Sequence, residues 1–495
     1  MTSRTIWVLG DQLNRDIGAL GTADPSRDRV LLIESDALLS GQPYHRQRLH
    51  FVIASMRRFG GELAAAGFAV DHRSASTFGE GVAAHRKEYG DPIIATEPNG
   101  REMRSLLDRL GVEQVRSNQF LTHPDEFADW AGDRPRLRME DFYRWQRRRL
   151  GYLMDGDEPA GGRWNYDAEN RQPPPRSERP WPPPPLSRLD ELDREVIAAL
   201  PPTAVGADPV GWWATSRRAA LNRLRHFVDR VLPMFGPHED AMLSDNWHLA
   251  HSMLSPYLNV GLLLPGEVCD RVEDAYREGR VPIASAEGFI RQVIGWREFI
   301  WGIYWRYPDQ RDANALGNDQ PLPPAFAGTA PTDMECVSST LADLDERSWV
   351  HHIPRLMVLA NVANLFGVEP GAVHDWMRQR FVDAANWVMG PNVMGMGMWA
   401  DGGLMSTKPY VSGGAYINRM SDYCRGCRFD PKKRVGDDAC PFTTLYWDFL
   451  DRHREVLGTN HRVARQYATL DRLSDLEELR ERAALVIGRF GDGEL

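Results

Sequence analysis

The sequence has no run of about twenty apolar residues, so nothing in it reads as a membrane span. It also lacks an excess of basic residues. Lys plus Arg number 59 against 69 Asp plus Glu, a net charge of −10, which excludes a chain that coats nucleic acid regardless of sequence. Cysteine is scarce. Five in 495 residues is an odd and small number that excludes a disulfide framework. The opening residues, Met1 to Gln12, lack the basic, apolar and small-residue order of a secretion leader, and a cytoplasmic location is expected. No glycine-rich dinucleotide fingerprint stands in the C-terminal part, and no repeat of fixed period occurs. What is there is a chain with 42% apolar residues, enough to build cores for about two to four domains.

Residues 1–130 alternate in type. Segments 5–9 and 29–34 read as buried strands, and 68–70, 93–96 and 113–115 as shorter ones. Between them, Leu49, Val52, Ile53, Met56, Phe59 and Leu63 recur at helical spacing and predict a helix over 45–66. This alternation predicts a doubly wound parallel α/β sheet. Ligands of such sheets sit beyond the C-terminal strand ends, the first of which is Gly10-Asp11-Gln12. Residues 131–205 break the pattern and are expected to link two domains. They begin with Arg134, Arg136, Arg138, Arg144, Arg147, Arg148 and Arg149, which suit a solvated helix face as well as a local basic groove. A tract over 173–185 holds eight prolines and predicts an extended linker. Residues 206–495 are helical in pattern and rich in Trp, Met and His.

Cys424-Arg425-Gly426-Cys427 forms a C-x2-C pair, and Cys440 follows after twelve residues. Thiolates at that spacing grip one metal centre, with Cys336 or Cys269 as the fourth. Spacing alone favours structural zinc and does not separate it from an iron–sulfur cluster.

Several segments decide between these. They are Leu9-Gly10-Asp11-Gln12-Leu13, Gly161-Gly162-Arg163-Trp164-Asn165-Tyr166-Asp167, Gln292-Val293-Ile294-Gly295-Trp296-Arg297-Glu298, His351-His352-Ile353-Pro354-Arg355-Leu356-Met357, Asp401-Gly402-Gly403, Lys408-Pro409-Tyr410 and Ser421-Asp422-Tyr423-Cys424. In this order, the chain resembles the iron–sulfur bacterial cryptochrome/photolyase family, which includes prokaryotic (6-4) photolyases and deoxyribodipyrimidine photolyase-related proteins. The resemblance implies an α/β antenna domain and an all-α FAD-binding domain. It implies a [4Fe–4S] cluster on Cys336, Cys424, Cys427 and Cys440, with Cys269 left as a core thiol. FAD would contact Asp240, Ser252, Leu254, Ser255, Gln292, Trp296, Arg297 and Asp383, the last two as an ion pair. A 6,7-dimethyl-8-ribityllumazine antenna would sit against Gly10, Asp11, Gln12, Glu34 and Leu49.

The same resemblance assigns a proton-donating role to His352, supported by His351. Arg171, Leu356, Met396 and Tyr410 would line a lesion pocket in UV-damaged DNA, and Asp167 would hold a divalent cation. Trp376 would carry electrons to the flavin. Met377 stands where a further aromatic is expected, 326–328 reads Phe-Ala-Gly where a tryptophan is expected, and Met389 lies near the flavin N5 position. Tyr416, Tyr423, Trp387 and Trp399 are alternative stations. The function expected is light-driven repair of (6-4) photoproducts by a monomer. The alternatives are a blue-light photoreceptor with the same cofactors and a zinc-stabilised DNA-binding protein without photochemistry.

Overall fold

The structure, a computed structural model, describes residues 4–175 and 181–495. Five strands open the chain: β1 (Thr5–Trp7), β2 (Arg29–Ser35), β3 (Ala69–Ala75), β4 (Ile93–Thr96) and β5 (Glu113–Val115). They form one parallel sheet in the order β3-β2-β1-β4-β5, with Thr5 of β1 opposite both Arg29 and Ile93. Side chains alternate across it. Ile6, Val30 and Leu32 meet Phe51, Met56, Phe59 and Leu63 of the helix Arg46–Ala65. Trp7, Leu31 and Ile33 meet Val82 and Leu107 of the helices Phe78–Tyr89 and Arg101–Arg109 on the other face. Cover on both faces is why β1 and β2 read as unbroken apolar runs. Each such aliphatic side chain contributes about 1.5–3 kcal/mol on burial.

The helix Arg46–Ala65 starts at His45, which is fully buried. Its Nε2 lies 2.7 Å from the carbonyl oxygen of Asp345, an acceptor only, so Nε2 carries the hydrogen. Nδ1 is then free to accept from the backbone N–H of Gln47 at 3.1 Å, capping the helix. One ring thus ties the sheet domain to the helical part.

The segment between these parts is less extended than its composition suggests. It contains the helices Met139–Leu150 and Glu191–Ala198 and a two-residue hairpin, Met154–Asp155 with Glu158–Pro159. Residues 176–180 of the proline tract lie outside the described residues. The arginine run is not a uniformly solvated face. Arg147 is fully buried and donates to the carbonyls of Tyr152, Leu153 and Trp164, while Arg144 and Arg148 lie over the Trp164 ring.

No strand occurs among the described residues after Pro159. Four segments there are π-helical, with wider turns than an α-helix: Phe227–Val231, Arg291–Arg297, Pro354–Ala360 and Gly390–Gly397. Pro354 and Pro391 stand in the first turns of the last two, where a missing N–H costs nothing. No helix is long and apolar enough to cross a membrane.

Candidate functional site

Three of the π-helical segments face one another across a cavity of about 640 Å³, with a second of about 330 Å³ sharing much of its wall. Such wide turns cluster at functional sites, because the extra residue re-aims side chains. Arg291–Arg297 supplies Arg291, Gln292, Trp296 and Arg297, Pro354–Ala360 supplies Leu356 and Met357, and Gly390–Gly397 supplies Asn392 and Met396. The loop before the helix Ser255–Asn259 supplies Ser252 and Ser255. Two non-glycine residues of that loop, Leu249 and Met253, take left-handed φ of +43° and +56°, strain of about 1–3 kcal/mol each that a ligand loop tolerates.

The cavity brings together Asp167, Arg171, Asp240, Ser252, Ser255, Gln292, Trp296, Arg297, His352, Leu356, Asp383, Met396 and Tyr410. His351 lines the smaller cavity. Leu254 does not line either. Its side chain is fully buried in the apolar core, because the chain turns between Ser252 and Ser255 and points the intervening residue inward.

The ion pair expected between Arg297 and Asp383 is not formed. Asp383 is held by Arg355, at 2.9 and 3.0 Å in a two-pronged contact, and by the Ser255 hydroxyl at 2.6 Å. Arg297 pairs instead with its neighbour Glu298 at 3.0 Å and stacks on Phe120. The pitch of the π-helix turns Arg297 toward its own helix, whereas Arg355 projects from the opposite wall. Arg355 sits inside a motif quoted above, yet its spacing to Asp383 carries no local signal.

His352 stands at the cavity with its side chain 47% exposed and Nε2 3.7 Å from Asp240. Behind it, His351 stacks on His251 at 4.1 Å with rings 14° apart. Burial holds both of these rings well below the usual histidine range, and neighbouring histidine charge adds to it. His251 was not legible in sequence, nor was Glu239, which is buried and pushed up to about 7 by that burial. Asp167 is neutralised by Arg171 and by Arg291 at 3.1 Å. The only three ligating side chains whose atoms converge within 4.8 Å among the described residues are His251, His351 and His352. A divalent-cation site at Asp167 therefore has no three-ligand set here, and its carboxylate is already paired.

Donors without partners line this cavity. Arg297 Nε and Arg291 Nη2 are buried and make no hydrogen bond, and His251 Nε2 and His351 Nδ1 are likewise open. Buried donors of that kind suit an anionic ligand. Trp376 lies one residue from the wall. It packs on Phe326 at 4.8 Å and donates to the Phe326 carbonyl, while Met377 reaches the smaller cavity. Met389 lines the smaller cavity, and Trp387 and Tyr416 line the larger. Trp387 meets Trp301 edge-on at 5.7 Å, and Trp301 meets the half-buried Trp305 at 5.5 Å. Trp399 donates to the Ser406 carbonyl, away from this wall, and Tyr423 belongs to the cysteine shell.

Cys336, Cys424, Cys427 and Cys440 line one apolar recess with Met334, Ile417, Phe429 and Phe442. Cys269 is buried elsewhere, in the core of the other half. Burial, then neighbouring thiols, pushes Cys424 up to about 12, and burial pushes Cys440 up to about 11. Gly414 makes the recess possible, since a Cβ there would lie 2.8 Å from Cys440 Sγ. No three of these sulfurs lie within 4.8 Å of one another. Zn–S bonds of about 2.3 Å would draw four sulfurs to about 3.8 Å apart. The recess is too wide for that and suits ligands bound to separate irons.

The proposed antenna residues divide among three environments. Gly10 faces Met56, and Glu34 is bound by Arg57 at 2.8 Å and His72 at 2.9 Å, which together hold its carboxyl at about 2 against burial. Asp11 is bound by Asn99 and pushed up to about 6 by burial, and Gln12 donates to the Glu97 carbonyl. Leu49 packs against Ile53, Val196 and Leu200.

A (6-4) photolyase of Agrobacterium fabrum is 44% identical to this chain, over 99% of it and 100% of that protein. The family profile of deoxyribodipyrimidine photo-lyase-related proteins matches residues 6–207. Two crystal structures share the fold. A class III photolyase from Agrobacterium tumefaciens aligns with TM-score 0.60 at 16% identity, over 99% of this chain and 98% of that one. A Synechocystis cryptochrome aligns with TM-score 0.55 at 15% identity, over 92% and 89%. With a cavity walled by residues from the shared motifs and a full-length relative at 44% identity, this chain belongs to the photolyase/cryptochrome family, in its deoxyribodipyrimidine photo-lyase-related branch.

Proposed function

We propose that this chain is a (6-4) DNA photolyase that repairs pyrimidine–pyrimidone photoproducts in the light, with FAD in the paired cavities. The observation that carries the reading is His352, solvent-reaching and 3.7 Å from Asp240, in the same cavity as Arg171, Leu356, Met396 and Tyr410. A volume of about 640 Å³ falls in the cofactor range. FAD, when bound and reduced, supplies a light-driven electron. The residues do the rest. Arg355 and Asp383 neutralise each other at the ring end, and the open donors of Arg291 and Arg297 suit phosphate or ring oxygens. Leu356, Met396 and Tyr410 give a flipped base apolar and aromatic walls, and Arg171 meets its phosphate. His352 gives its proton to the lesion oxygen and recovers one from solvent, to which it is open.

The four-cysteine recess would hold a [4Fe–4S] cluster, a reading supported by the wide sulfur spacing over the zinc alternative. A lumazine antenna near Asp11 and Glu34 is kept as a proposal to be read from an acid extract of the protein. A duplex carrying one (6-4) lesion, illuminated with the reduced protein, should regain two intact pyrimidines, and His352→Ala should lose that activity. Protein that binds flavin and iron yet leaves the lesion intact would instead be a photoreceptor.

A further inference from the structure

Glu239 is a carboxyl at the centre of the cavity that the repair scheme above leaves unused. Its side chain is 6% exposed and lines both cavities. Oε1 accepts from Gln292 Nε2 at 2.8 Å, and the same amide nitrogen donates to the Gly288 carbonyl at 3.2 Å. Both amide hydrogens are thereby spent inside the wall, which fixes the flip of the amide and leaves Gln292 Oε1 to face the ligand as an acceptor. Gly288 leaves the space this needs, since a Cβ there would stand 3.5 Å from Glu239 Oε2. The backbone carbonyl of Glu239 holds the His251 ring that stacks under His351.

The charges that face Glu239 come from four elements. His352 and Arg291 favour its ionised form, and Asp240 and Asp167 oppose it. Arg291 is already shared with Asp167 and Glu287. His352 has only Asp240, at 3.7 Å, as a salt-bridge partner.

We propose that Glu239 is a positioning residue of the repair site, which aims the Gln292 amide and serves as the buried counter-charge of protonated His352. Near neutral pH its carboxyl is on the edge of ionisation, held up by burial to about 7, so that gain of a proton on His352 draws one off Glu239. The inference rests on the proposed repair function, and its test is separable from it.

Glu239→Gln keeps an oxygen for Gln292 and removes the charge; Glu239→Ala removes both. In full-length protein, in the dark and without DNA, histidine-labelled NMR should follow the His352 ring, identified by its loss in His352→Asn. Its titration midpoint should fall by about 1 pH unit in Glu239→Gln. The alkaline limb of the repair profile on an oligonucleotide with one (6-4) lesion should move down with it. KM should stay near wild type in Glu239→Gln and rise in Glu239→Ala, where Gln292 is released. Melting temperature checks that each variant is folded. An unmoved His352 titration in a folded Glu239→Gln overturns the inference. If wild type holds flavin but repairs nothing, the proposed function falls, and the His352 titration still decides the role of Glu239.

Discussion

Replacing His45 by alanine should destabilise the protein by about 3–5 kcal/mol at neutral pH. Loss of the helix cap on Gln47 costs about 1 kcal/mol. Stranding the buried carbonyl of Asp345 costs about 1–3 kcal/mol, and the void left by a buried ring adds about 1 kcal/mol. The ring also makes a pH test. Burial holds it at about 4, against a model value of 6.5 that stands for the unfolded chain. Its folded value is depressed, so between pH 6.5 and 4 the unfolded chain takes a proton that the folded one refuses. Stability therefore falls as pH drops through that window, by about 3 kcal/mol from this ring. His45→Asn retains a capping oxygen and does not titrate. Guanidinium unfolding followed by tryptophan fluorescence at pH 7.5, 6 and 4.5 should show a flatter pH dependence for His45→Asn than for wild type. His248 and His453, also held at about 4, contribute equally to both proteins and cancel. Parallel losses in the two proteins, or His45→Ala as stable as wild type at pH 7.5, would refute the reasoning.

Other expectations follow from single contacts. Arg355→Ala leaves Asp383 buried without its cation and should cost about 3–5 kcal/mol, read as a lower melting temperature and a flavin content well below wild type. Gly414→Ala puts a methyl 2.8 Å from Cys440 Sγ and 2.9 Å from Thr443 Oγ1, and should lower iron per chain measured by metal analysis while flavin content holds. Gly206 has φ +78° and a Cβ there would overlap the His45 ring, so Gly206→Ala should lower the thermal midpoint as much as His45→Ala does.

The sheet was legible because its strands are short apolar runs bounded by turns. Residues 93–96 and 113–115 match β4 and β5, and β3 runs five residues past its expected end because Asp71 to Ala75 are polar or small on an edge strand. The cysteines were legible through their spacing, and Cys336 joins them from a helix 88 residues before Cys424, a contact no local pattern announces. Arg355, Glu239 and His251 were missed for the same reason. Each is an ordinary residue type whose role depends on which wall of the cavity it projects from. Arg147 was misjudged because a charged residue in a basic run looks solvated until its acceptors, three backbone carbonyls after a helix end, fold back over it. The π-helical segments leave no mark in hydrophobic periodicity, since they add a residue without changing composition.

That added residue has a consequence for how the chain can vary. In Arg291–Arg297, Pro354–Ala360 and Gly390–Gly397, each hydrogen bond spans five residues instead of four, so one residue is surplus to an α-helix. Deleting any one of them would let the stretch relax to normal pitch. Everything on its far side would then swing by about 100° around the helix axis. The ring of groups around the cavity is thus encoded partly as a count of residues, and single-residue gaps at these three places would scramble it more thoroughly than most substitutions.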